Sequence, residues 1–117
     1  MISAYQTALT GLRAFATRLQ SNANNIANTD TNGFKKTRVT NNNVAPQGVR
    51  AEVNTVATPG PRVFQETEAG MDLVELSNVD LASELVDMNL NSTLYKANLK
   101  TIESVNEMTG ALLKLKS

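Results

Sequence analysis

Residues Ile2–Asn28 read ISAYQTALTGLRAFATRLQSNANNIAN, and their spacing decides the fold class. Ile2, Tyr5, Leu9, Leu12, Ala16, Leu19, Ala23 and Ile26 recur at alternating intervals of three and four, an a/d pattern that predicts one long amphipathic helix. It should end near Asn28, because Asn28-Thr29-Asp30-Thr31-Asn32-Gly33 carries no apolar stripe and closes on an Asn-Gly turn signal. Only Arg13 and Arg18 are charged over this span, and the polar side is Gln, Thr, Ser and Asn. A solvated helix face normally intersperses acids and bases, so this helix is expected to meet protein on more than one side. The plainer reading is a two-helix hairpin whose polar face is simply charge-poor.

A second apolar stripe lies at the other end of the chain. Leu81, Leu85, Met88, Tyr95, Leu99, Ile102, Val105, Met108, Leu112 and Leu115 predict a helix that starts close to Asp80, with Ser77 three residues earlier fitting a capping signature. Between the helices, Val49–Thr55 alternates as a half-buried strand, and Thr58-Pro59-Gly60-Pro61 is a turn into a short strand around Arg62–Glu66. Asn41-Asn42-Asn43 reads as a loop. The expected architecture is therefore mainly α: two long terminal helices packed as an antiparallel coiled-coil hairpin around a small β-hairpin or loop insert. Its segments are 1–33 (helix and Asn-rich exit turn), 34–76 (insert) and 77–117 (second helix), forming one structural domain.

Composition removes most chemistry. There is no His, Cys or Trp among 117 residues, so the usual transition-metal ligands, thiol nucleophiles and imidazole catalysts are missing. Eleven basic residues balance eleven acidic ones, which gives no whole-molecule field for nucleic acid. No phosphate-binding loop or nucleophile elbow appears. Asp80, Glu84 and Asp87 share a helical face and could hold a hard cation, but they lie in the first turns, where the helix dipole already accounts for negative charge. Lys35, Lys36 and Arg38 form a short basic cluster in what reads as a solvated turn, with contact to an anionic partner as the other possibility. No enzyme activity, cofactor or metal is expected. Neither a continuous secretory apolar core nor a bilayer-spanning run is evident, so direct membrane insertion is not expected.

Charge is 19%, below the roughly 25% of ordinary domains, and fourteen Asn and thirteen Thr fill the gap. Two helices of this kind bury little on their own, while ordering each backbone residue costs about 1–2 kcal/mol. Lateral contact with copies of the chain would supply the missing burial, and a neutral subunit can stack without long-range self-repulsion.

Two segments carry a family resemblance. Ala8-Leu9-Thr10-Gly11-Leu12, Ala23-Asn24-Asn25-Ile26-Ala27-Asn28 and Thr31-Asn32-Gly33-Phe34-Lys35 resemble the N-terminal signature of the bacterial flagellar rod and hook axial proteins. Ser77-Asn78-Val79-Asp80-Leu81-Ala82, with Glu84, Leu85, Val86, Met88, Tyr95, Ala97, Asn98, Lys100 and Ile102, resembles that family's C-terminal signature. The resemblance implies a basal-body rod subunit that packs through its terminal helices into a helical tube crossing the periplasm. Its partners would be copies of itself, other rod and axial proteins, and the flagellar type III export apparatus, with export needing no cleaved signal. The short insert is similar to that of proximal-rod members. A hook-type axial protein, or a small helical-hairpin adaptor or secretion chaperone, is the alternative. Ile2, Tyr5, Leu9, Leu12, Leu19, Ile26, Leu85, Met88, Tyr95, Leu99, Ile102 and Leu112 are the expected packing positions. Among the signature residues, the Asn24–Asn28 amides are expected either to cap backbone groups or to bridge subunits, Gly33 to supply a positive φ, and Phe34 to anchor the insert.

Overall fold

The computed structural model describes residues 2–116. Helix α1 spans Ile2–Ala27; strands β1 (Thr37–Asn43), β2 (Val49–Thr55), β3 (Arg62–Thr67) and β4 (Gly70–Glu75) follow, and helix α2 spans Leu81–Lys116. At 1.5 Å per residue the helices are about 39 and 54 Å long. The molecule measures 79 × 24 × 20 Å. Its radius of gyration is 20.6 Å, against about 13 Å for a compact chain of this length.

The helices pack side by side with contacts in opposite chain order: Asn25 meets Glu84, Asn22 meets Asp87 and Asn91, and Gly11 lies against Asn98. Near the start of α1, Tyr5 and Leu9 border the same cleft as Val105 and Thr109. On α1 the buried positions are Ala8, Gly11, Ala14, Ser21, Asn22 and Asn25, a face turned one residue back from the large apolar stripe. Small side chains allow the backbones to come close there. At Gly11 an added Cβ would fall 2.4 Å from Asn98 Oδ1.

The insert differs from the expected single hairpin. Val49–Thr55 does not pair with the strand after the proline turn; β2 pairs antiparallel with β1, and β3 with β4, giving two separate hairpins. Asn41–Asn43, expected as a loop, completes β1 opposite Ala51, Arg50 and Val49. The ladder overrides the poor strand propensity of Asn, and Asn42 adds a 3.0 Å bond to Glu52. Gly48, at φ 127°, closes the β1–β2 loop with its carbonyl accepting from Val44 N–H at 3.1 Å, whereas the segment after β2 is drawn away by Asn78, which donates to the Val56 and Thr58 carbonyls. The first hairpin lies on α1: Val39 is buried, and Thr10 Oγ1 accepts from Val49 N–H at 3.2 Å. The second hairpin packs against neither helix nor the first hairpin among the described residues.

The segment between β2 and β3 is held tightly against the lead-in to α2. A Cβ on Gly60 would sit 2.1 Å from the Leu76 carbonyl oxygen and 2.9 Å from Ser77 backbone atoms, which cannot swing aside as a side chain could. Gly60→Ala is expected to destabilise the chain by about 1–3 kcal/mol in urea titrations followed by circular dichroism. Gly110→Ala, with nothing within 4 Å of its Cβ, should instead be neutral or stabilising, since alanine favours the helix by about 1 kcal/mol.

Candidate assembly interface

The densest polar structure in the molecule joins the end of α1, the start of β1 and the first half of α2. Asn25, 1% exposed, donates to the Thr37 carbonyl at 2.9 Å and to Glu84 Oε1 at 3.1 Å, and its Oδ1 accepts from Thr37 N–H at 3.0 Å. Asn22 donates to Glu84 Oε2 at 2.8 Å and Asp87 Oδ2 at 2.9 Å. Asn91, also 1% exposed, donates to Asn22 Oδ1 at 2.8 Å and to Asp87 Oδ2 at 3.1 Å. Ser21 and Thr37 share a hydroxyl–hydroxyl bond of 2.6 Å. Both amide protons of all three asparagines are used, and two carboxylates that would otherwise repel sit among neutral donors. This network sets the rotation and height of one helix on the other, because sliding either by one residue would strand buried polar groups.

Glu84 and Asp87 thus act through the asparagine amides. Among the described residues no group of three acidic, His or Cys side chains has metal-binding geometry. Asp80 caps α2, and this corrects the expected cap: Ser83 donates to it through both hydroxyl and backbone N–H, while Ser77 Oγ takes only the Val79 N–H. The reason is spacing, since an N-cap reaches the amide three residues on and the helix begins at Leu81. The Asn24–Asn28 amides are engaged within the chain: Asn28 donates to the Asn24 carbonyl at 2.8 Å, and Asn25 joins the network above. Gly33 has φ 72°, and its N–H donates to the Glu75 carbonyl at 2.9 Å, while Phe34 is half-buried. Asn78 ties three segments together, accepting from Lys36 N–H at 2.7 Å and donating to the Val56 and Thr58 carbonyls, both at 2.9 Å.

The Ser83 bonds, aided by the charge of Lys36, hold the Asp80 carboxyl below its usual 3.8, and Lys35 with the Gly60 N–H holds Glu75 below 4.5. A carboxyl with a depressed folded pKa contributes stability that is present above its unfolded value and is lost as pH falls through the folded one. Stability should therefore be flat from neutrality to about pH 5 and decline below 4.5. Urea midpoints measured against pH should show a shallower acid limb in Glu75→Gln and Asp80→Asn.

The large apolar side chains are placed differently from the polar ones. Leu9, Leu12, Leu19, Ile26, Met88, Tyr95 and Ile102 are half-buried between or beside the helices. Ile2, Tyr5, Leu81, Leu85, Leu99 and Leu112 are exposed, Ile2 at 77% and Leu112 at 52%. Val79 is half-buried at the entry to α2, and Ala27 is exposed at the end of α1. The residues not picked out for packing from sequence are Ser21, Asn22, Thr37, Glu84, Asp87 and Asn91. One signal could have found part of the set: Glu84, Asn91, Asn98 and Val105 are spaced seven apart and all lie on the α1-facing side of α2. Total accessible surface is 8089 Å², against about 6,200 Å² for a compact monomer of this mass.

The fold and this polar seam define an elongated two-helix chain with two β-hairpins, whose buried apolar residues among those described are Ala8, Ala14, Val39 and Val105. The family comparisons agree at both ends: a model described as "Flagella basal body rod protein" matches residues 6–35, and one described as "Flagellar basal body rod FlgEFG protein C-terminal" matches residues 72–115. The chain belongs to the flagellar basal-body rod proteins, structural proteins located in the rod of the basal body. A search of curated proteins returned no match.

Proposed function

We propose that this chain self-assembles through its terminal helices, paired as an antiparallel coiled coil, into the helical axial tube that transmits torque and encloses the export channel. The observation that carries this reading is the apolar surface left open on those helices. Ile2, Tyr5, Leu85, Leu99 and Leu112 stand exposed while Asn22, Asn25 and Asn91 fill the seam. The excess of roughly 1,900 Å² over a compact monomer is about twice the ~800 Å² that one partner contributes to a standard protein–protein interface. Residues 34–76 form the insert between the segments 1–33 and 77–117, and its shortness favours a proximal position in the rod. The chain reaches that position through the flagellar export apparatus and joins other rod and axial proteins there. Sedimentation velocity across a concentration series tests the reading. A rise in mass toward polymers, or incorporation into a filament with other rod proteins, is expected. A species that stays monomeric, or stops at a discrete dimer and binds no rod component, would overturn it.

A further inference from the structure

We propose that the acidic tip of the β3–β4 hairpin of one copy docks in the groove between β1 and the first half of α2 of a second copy. The inference rests on the self-assembly reading above and specifies one of its contacts. The groove, about 750 Å³, is lined by three bases, Arg18, Lys36 and Arg38, and three acids, Asp80, Glu84 and Asp87, with Val86 and Leu90 on its α2 side. Its acids already have donors from the same chain: Glu84 and Asp87 take asparagine amides, and Asp80 takes Ser83. Its bases do not. Among the described residues neither Arg18, Lys36 nor Arg38 has a carboxylate oxygen within 4.0 Å, and Arg18 Nε is buried with no hydrogen-bond partner. Val86 is 72% exposed, so the apolar wall is uncovered as well.

The second hairpin has the complementary character. Its tip carries Glu66, Glu68 and Asp72 with no base, turning through Glu68-Ala69 into Gly70 at φ 112°. Phe64 pairs with Leu73 and Glu66 with Met71, so Phe64, Leu73 and Met71 share one face, and Phe64 is 70% exposed. The tip is ordered in advance: Thr67 Oγ1 lies 2.9 Å from both the Gly70 carbonyl and an Asp72 carboxylate oxygen. Its base is fixed by the Gly33–Glu75 backbone bond, the Lys35–Glu75 pair and the Asn32–Gln65 bond. Groove and tip are different patches of one chain, so joining them between copies is heterologous, which propagates into an open helix or a ring and does not stop at a two-fold dimer.

The chain contains no cysteine, so single cysteines report the contact cleanly. Full-length Glu68→Cys and Arg38→Cys chains, both substituted at exposed positions, are mixed under assembling conditions and treated with a short bismaleimide. A cross-linked pair is expected in the mixture and not in either variant alone. In parallel, Lys36→Glu/Arg38→Glu and Glu66→Lys/Glu68→Lys should each weaken association by about tenfold or more, and mixing the two should restore a contact between the reversed surfaces. If the wild-type chain polymerises yet the mixture yields no cross-link and the reversals change nothing, the docking is overturned and self-assembly stands. A wild-type chain that never associates overturns both.

Discussion

Asn25→Ala should remove about 3–4 kcal/mol of stability, the largest effect expected of any single truncation in this chain. The Asn25 side chain is almost fully buried and bonds the Thr37 backbone in both directions while donating to Glu84. Alanine leaves the Thr37 N–H and carbonyl without those partners and removes a donor from a half-buried carboxylate. Each orphaned buried group costs about 1–3 kcal/mol, more when charged. Small domains are stable by about 5–15 kcal/mol, and a chain with so thin an apolar core belongs at the low end. Guanidinium titration followed by helix ellipticity should therefore show the variant largely unfolded or with a greatly lowered midpoint. The exposed neighbour Asn24→Ala should change stability by less than about 0.5 kcal/mol. A double-mutant cycle of Asn25→Ala with Glu84→Ala should return a coupling of about 1–3 kcal/mol. If Asn25→Ala unfolds at the wild-type midpoint, the seam does not set the helix pairing.

Leu99→Asp should leave the isolated chain folded and abolish its assembly. Leu99 is 44% exposed, so an aspartate there stays hydrated in the monomer and should alter stability by about 1 kcal/mol or less. In an assembled tube the same position would be covered, and an unpaired carboxylate taken out of water weakens association by at least about 100-fold. Leu12 is half-buried in the single chain, so Leu12→Asp would confound folding with assembly. Unchanged ellipticity with polymerisation lost in sedimentation is the expected pair of results. Polymerisation at the wild-type concentration would remove this face from the interface.

Much of the architecture was legible because long helices announce themselves through periodicity. The three-and-four spacing from Ile2 to Ile26 and the stripe from Leu81 onward locate α1 and α2 to within a residue or so. Gly33 at the exit turn was legible for a similar reason, since a backbone leaving a helix favours a residue free of Cβ. Strand partners were not legible, because β2 alternates equally well against either neighbour. What separates them lies partly outside the loops: Gly48 closes the turn between β1 and β2, while Asn78, at the entry to α2, holds the Val56 and Thr58 carbonyls after β2. The Asn22–Asn25–Glu84–Asp87–Asn91 network was also hidden. Apolar periodicity marks where large side chains lie, and it is silent about which face two helices present to each other when small and polar residues can also pack.

By itself the sequence determined the two helices, their limits, and the absence of His and Cys chemistry, because periodicity, turn residues and composition are local properties. Only the tertiary structure decided that the buried seam is Ala8, Gly11, Asn22 and Asn25 against Asn91 and Asn98, with the large apolar residues turned partly or wholly outward. That choice depends on hydrogen-bond partners 59 to 69 residues apart, which no local pattern encodes. The small seam brings the backbones close and satisfies the amides, and it leaves Leu85, Leu99 and Leu112 exposed.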